Sequence, residues 1–206
     1  MEDSDYDKAV EHADKALSLS PRALDAMGVR GGIDWLQEKK DSPWFEKALA
    51  VNPSYGTAYN IAGELLIINR RYHEGIELFR KAIQVQPNLW EAHARLGVNL
   101  MRLGQEEEAR KELELCYHQG YSPQIVTNTL TLMDSYKNFK TFKTGRTILR
   151  LHNKEAEVLQ PYFESEMLRV MDTYDKKYGH KLEVPVQLEV YPNHEDFAVR
   201  TMGMPG

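Results

Sequence analysis

Tyr59-x-x-Ala62-Gly63-x-x-Leu66, followed by Gly75-x-x-x-Phe79-x-x-Ala82 and then Pro87, is one copy of a pattern that the chain repeats. The next copy runs His93-x-x-Leu96-Gly97-x-x-Leu100, then Ala109-x-x-x-Leu113-x-x-Cys116, and closes at Tyr121. Pro53, Pro87 and Tyr121 therefore stand 34 residues apart, with the same residue types in phase between them. Self-similarity at such a fixed period marks a stack of supersecondary units. Within each copy the apolar positions recur at helical spacing on either side of a break, so the unit reads as helix–turn–helix. Gly63 and Gly97 leave room for the second helix of a pair to approach the first. Ala82 and Cys116 do the same from the other side, and Phe79 and Leu113 fill the seam. Pro87 ends a helix by withholding a backbone donor and clashing with the preceding turn. One pair cannot bury its apolar face alone, so neighbouring pairs must stack.

Spacing and residue types resemble the tetratricopeptide repeat (TPR), whose pattern runs W-x2-L-G-x2-Y, A-x3-F and P. His93, Gly75, Cys116 and Tyr121 depart from it as ordinary substitutions in a degenerate pattern. The resemblance implies a mainly α fold, a superhelical solenoid of TPR helix–turn–helix units. A small truncated α/β segment with two strands and one long helix is expected to follow. The expected division is a repeat domain over 1–140, with clear repeats at 54–121 and a capping helix at 122–138, and a partial α+β segment over 141–206.

Ahead of the clear copies, Ala9-x-x-x-Ala13-x-x-Ala16 with Pro21 has the phase of a second helix, over 6–19, whose first helix is missing. Beginning inside a repeat suggests an excised piece, with a degenerate cap as the alternative. Pro21 to Pro53 is a step of 32 residues, two short of the period. Residues 22–40 fit a helix, although Gly31-Gly32 weakens its middle. Ser42-Pro43 reads as an N-cap with proline in the first turn, and Phe45-x-x-Ala48 completes the unit. Trp35 and Trp44 are expected to pack where the repeat is shortened, ligand stacking being the other use of an indole.

Further helices are expected near 54–69, 72–85, 89–103 and 105–118. The capping helix should turn Ile125, Val126, Leu130 and Met133 inward and leave Thr127, Asn128, Thr129 and Thr131 in water. Lys137, Lys140, Lys143 and Arg146, interleaved with Phe139 and Phe142, read as a solvated linker. Beyond it come a strand at 147–151 and a helix at 155–178, which Pro161 should kink unless it sits in the first turns. Gly179 ends that helix. A strand at 184–191 and a helical start at 195–201 follow. Two strands are marginal alone, so this part reads as the opening of a larger domain.

A net charge of −5 and no basic stripe argue against a dedicated nucleic-acid binder. The single cysteine, Cys116, excludes an internal disulfide framework and a cysteine-based zinc site. No segment approaches the ~20 apolar residues of a membrane span, and the acidic start Met1-Glu2-Asp3-Ser4-Asp5 is unlike a secretory signal. Localisation and oligomeric state stay open.

The run from Tyr191 through Asn193-His194-Glu195-Asp196 to Met204-Pro205-Gly206, with Ile148 to His152 upstream, is similar to bacterial proteins that join such repeats to a peptidase MA-like domain. Those are gluzincin-type zinc metallopeptidases or their relatives. The resemblance covers 144–206 and implies a zinc site of H-E-x-x-H type, two imidazoles one turn apart with a glutamate that activates water. None of the histidines at 12, 73, 93, 118, 152, 180 and 194 stands four residues from another. His73-Glu74-Gly75-Ile76-Glu77 imitates the motif, but it also begins the second helix of a repeat, where Ile76 serves packing. His194-Glu195-Asp196 clusters three potential ligands, yet acidic residues there suit a helix N-terminus equally. This chain is accordingly expected to hold no catalytic residue, no metal and no cofactor, with zinc reserved for the parent protein downstream of Gly206.

Two functions follow. Stacked helix pairs form a groove lined by the first helix of each pair, a surface that receives extended peptides or partner helices. The repeat phase assigns Asn60, Glu64, Ile67, Glu91, Arg95 and Met101 to it. Glu64 and Glu91 oppose capture of a terminal carboxylate, so a peptide of basic or mixed character is expected. The alternative makes the chain the non-catalytic front of a zinc peptidase.

Overall fold

A computed structural model describes residues 6–202. The acidic pentapeptide at the start and the closing Gly203-Met204-Pro205-Gly206 lie outside the described residues. The chain divides into two compact units, Met1–Val126 and Thr127–Gly206.

The first unit is helical. It contains α1 (Tyr6–Leu19), α2 (Leu24–Leu36), α3 (Pro43–Val51), α4 (Thr57–Ile68), α5 (Tyr72–Val85), α6 (Trp90–Arg102) and α7 (Glu106–His118). Pairing follows the small residues of the repeat. A Cβ on Gly63 would lie 2.7 Å from the Phe79 ring, and one on Gly97 would lie 2.6 Å from Leu113. Those two glycines thus admit the bulky residue of the second helix, and Ala82, Leu113 and Cys116 are fully buried beside them.

Gly31-Gly32 does more than weaken its helix. Phe45 of α3 sits against Gly31, with ring atoms 2.6 Å from where a Cβ would be. Gly28 and Gly32, one turn apart on α2, face the backbone of Ala58 and Ala62 on α4 at 2.9 Å from the equivalent positions. Two successive first helices are therefore drawn together by a glycine–alanine seam. Trp35, Met27, Phe45, Ala62, Leu66 and Leu78 form the core around it, with Trp44 packed at its margin.

Helix α2 stops at Leu36, short of the expected 40. Arg71 explains the stop: its Nη1 donates to the carbonyls of Trp35 at 3.1 Å and Leu36 at 2.9 Å. Glu38 then takes a left-handed φ of 63°. Ser42 caps α3 as expected, and its hydroxyl also donates to Asp34 at 2.8 Å.

Helix α8 (Gln124–Ser135) comes next in the chain, followed by a 3-10 turn, Tyr136–Asn138. Its phase differs from the expectation. Val126, Thr129, Leu132 and Met133 are buried and Ile125 is exposed, because positions three and four apart share a helix face.

The second unit corrects the linker reading. Phe139–Lys143 is a strand, β1, antiparallel to β2 (Thr147–His152) with Phe142 opposite Leu149. Among the described residues the sheet has three strands, not two. Long helix α9 (Ala156–Tyr178) crosses over to β3 (Val186–Val190), which pairs parallel with β2 in the order β1-β2-β3. Pro161 lies within the first turns of α9, and Gly179 ends it in the left-handed conformation at φ 62°. Leu149, Leu151 and Ala156 form the core with Leu159, Phe163, Met167, Leu188 and Val190. Helix α10 (His194–Arg200) closes the described chain, capped by Asn193, whose side-chain oxygen accepts from the Asp196 amide at 2.8 Å.

Candidate functional site

Because α5 and α7 occupy the glycine side of α4 and α6, other side chains of those first helices turn outward. Three of the six groove residues meet there. Arg95 on α6 is paired with Glu64 of α4 and with Glu91 one turn earlier, the latter at 2.8 Å. The two carboxylate side chains are 49% and 42% exposed against 26% for the arginine, so the cation lies under the anions. Burial would lower the pKa of Arg95, but Glu64 and then Glu91 hold it above the ordinary guanidinium value. Tyr121 stands close enough to feel both Glu91 and Arg95, and burial raises its phenol.

Two of the other three lie deeper, and Ile67 is half-buried. Asn60 and Met101 are 3% and 2% exposed. Ile67 lies over Gly75, its Cδ1 2.5 Å from where a Cβ would stand, inside the α4–α5 seam. Open surface is thus carried by Glu64, Glu91 and Arg95. On the second helices a different pair links α5 to α7, Arg80 donating to both oxygens of Glu108 at 2.7 and 2.9 Å.

His93 occupies the aromatic position of the repeat motif and is 4% exposed. Its Nδ1 lies 2.6 Å from Glu112 and its Nε2 3.0 Å from the Pro87 carbonyl. Both neighbours are acceptors, so only the imidazolium, with two N–H donors, satisfies both. Burial works against that charge, but the Glu112 and Pro87 hydrogen bonds and the Glu112 charge outweigh it and raise the pKa. In the His73-Glu74 run, Glu74 pairs with Arg71 and Lys40. Burial pushes the Cys116 thiol up, away from the thiolate a nucleophile needs.

One constellation was not legible in the sequence. On the sheet face opposite α9, Glu189 accepts from Arg150 at 2.8 Å, Gln187 at 2.8 Å, Arg200 at 2.5 Å and the Tyr191 hydroxyl at 3.1 Å. The Arg150 guanidinium lies 4.1 Å from the Tyr136 ring centre, and the Tyr136 and Tyr191 hydroxyls are 3.0 Å apart. Burial, then the Glu189 charge, raises both phenols, Tyr136 to about 12. Strand alternation marks Arg150 and Glu189 as opposite in face to Leu149 and Leu188, but nothing in the sequence pairs them.

Among the described residues, no group of three or more His, Cys, Asp or Glu is placed to hold a metal ion. No described helix is long and apolar enough to cross a membrane.

Residues 56–89 match the family model of the tetratricopeptide repeat. Small glutamine-rich tetratricopeptide repeat-containing protein 2 of Mycosarcoma maydis is 29% identical over 90 residues, 43% of this chain and 26% of that protein. A peroxisomal targeting signal receptor of Candida albicans is 27% identical over 164 residues, 75% of this chain and 27% of its own. Its Candida glabrata counterpart is 33% identical over 111 residues, covering 51% and 19%. The chain thus spans about a quarter or less of the curated relatives it matches. Among solved structures, MamA is similar over 64% of this chain and 77% of its own, at 17% identity and TM-score 0.43. MamA 41-end from Desulfovibrio magneticus RS-1 is similar over 58% and 69%, at 27% identity and TM-score 0.39.

Proposed function

We propose that this chain is a protein–protein interaction scaffold that holds an extended peptide or partner helix against the first helices of its repeats. The observation that carries this is the outward ladder Glu64–Arg95–Glu91, which joins two successive first helices at a half-exposed surface. Ridges of side chains on stacked helices offer a partner regularly spaced anchors without any chemistry being required. The relatives' names add support, two of them being receptors for a targeting signal. No catalytic step is assigned to these residues. Selection of binders from a random peptide display library tests the reading. Selected peptides are expected to lose affinity on Glu64→Gln or Glu91→Gln and to keep it on Arg80→Gln; the reverse pattern sinks the proposal.

A second reading makes 141–206 the opening of a peptidase MA-like domain, with this chain its non-catalytic part. What supports it is the parallel β2–α9–β3 crossover, whose strand β3 pairs on one side only among the described residues. The chain carries no H-E-x-x-H, so its residues do not fit a zinc site and zinc would be held elsewhere in the parent. Translating the coding sequence beyond Gly206 tests this. An H-E-x-x-H there is the expected result, and a frame that stops soon after removes the reading.

A further inference from the structure

We infer that the partner segment on α4 and α6 is cationic, with a lysine or arginine seated between Glu64 and Glu91. This rests on the groove reading above. Two carboxylates share one guanidinium there, so the ladder keeps a net charge of −1, and the two acidic side chains are its more exposed members. An anionic ligand seeking Arg95 would first meet those carboxylates, which repel it. An ammonium or guanidinium meets them favourably, each carboxylate offering lone pairs that a single Arg95 leaves free.

Two ion pairs on the second helices are built differently from the ladder. Arg80 and Glu108 are matched one to one, as are Lys81 and Glu77. Beneath the ladder, one turn before Glu64 on α4, the side-chain oxygen of Asn60 is buried without a hydrogen-bond partner. It adds another acceptor, not a donor, to that helix face.

Fluorescence anisotropy on the whole chain decides the matter, using two end-capped, fluorescein-labelled probes, a lysine–serine repeat peptide and a glutamate–serine one. The lysine peptide is expected to bind, and the Glu64→Gln/Glu91→Gln double variant to weaken it by about tenfold or more. Arg95→Gln, which leaves the carboxylates unshared, should tighten it severalfold, an effect that a merely structural ladder would not produce. Arg80→Gln should change nothing, and thermal melts confirm that each variant is folded. Unchanged lysine-peptide affinity in the double variant overturns the inference. Preferred binding of the glutamate peptide, lost in Arg95→Gln, also overturns it while leaving the groove reading standing. If neither peptide responds to any substitution on α4 and α6, both readings fall.

Discussion

Replacing Gly28 with alanine would bring a methyl group to 2.9 Å from the Ala58 carbonyl oxygen and 3.0 Å from its Cα. Backbone cannot rotate aside, so α2 and α4 must separate. Alanine gains roughly 1 kcal/mol of helix propensity, and overpacking costs about 1–3 kcal/mol. Gly28→Ala is expected to lose up to about 2 kcal/mol net in urea denaturation, whereas Gly145→Ala, with nothing within 4 Å, should be neutral within ~0.5 kcal/mol. A stabilised Gly28→Ala protein would refute the close seam. His93 makes a prediction of opposite kind. Its folded pKa is raised above an unfolded value of about 6.5. The stability this contributes is whole below that value and is lost as pH rises through the folded pKa. Urea midpoints of the wild type should therefore fall, relative to His93→Gln, as pH rises from about 6.5 through the raised folded pKa. Parallel midpoint curves would show that the imidazolium is absent.

At the level of elements, the repeat helices were legible because period and packing coincide. Gly63 with Phe79 and Gly97 with Leu113 are neighbours in space for the same reason that they recur in sequence. The α2–α4 seam was not legible: Gly28 and Gly32 signal only a weak helix until Ala58 and Ala62 are placed against them. Strand β1 was hidden by its lysines, which face water while Phe139 and Phe142 carry the packing. Of the residues assigned by phase, Glu64, Glu91 and Arg95 stand together at the surface, while Asn60 and Met101 are buried because the helix faces beside the seam also pack. The Glu189 cluster joins β2, β3 and α10 across nearly fifty residues and could be found only in three dimensions. Breaking a buried ion pair by removing one charge costs about 3–5 kcal/mol. Glu189→Gln is expected to lower the opening free energy of β2 and β3 by about that amount in amide hydrogen exchange, leaving α4 to α7 unchanged. Unaltered exchange in both strands would mean that Glu189 is solvated and carries little.

For the molecule as a whole, two units with separate cores divide the work. The first carries repeated helices and the outward ladder. The second holds a mixed sheet with a charged network on one face and an apolar core on the other. The central claim is that recognition belongs to the first helices of the repeats. It is tested most directly by hydrogen exchange of the full chain with and without a peptide selected for binding it. The account predicts added protection in 57–68 and 90–102, with 147–190 unaffected. Protection confined to the sheet and α9, with α4 and α6 unchanged, would contradict it.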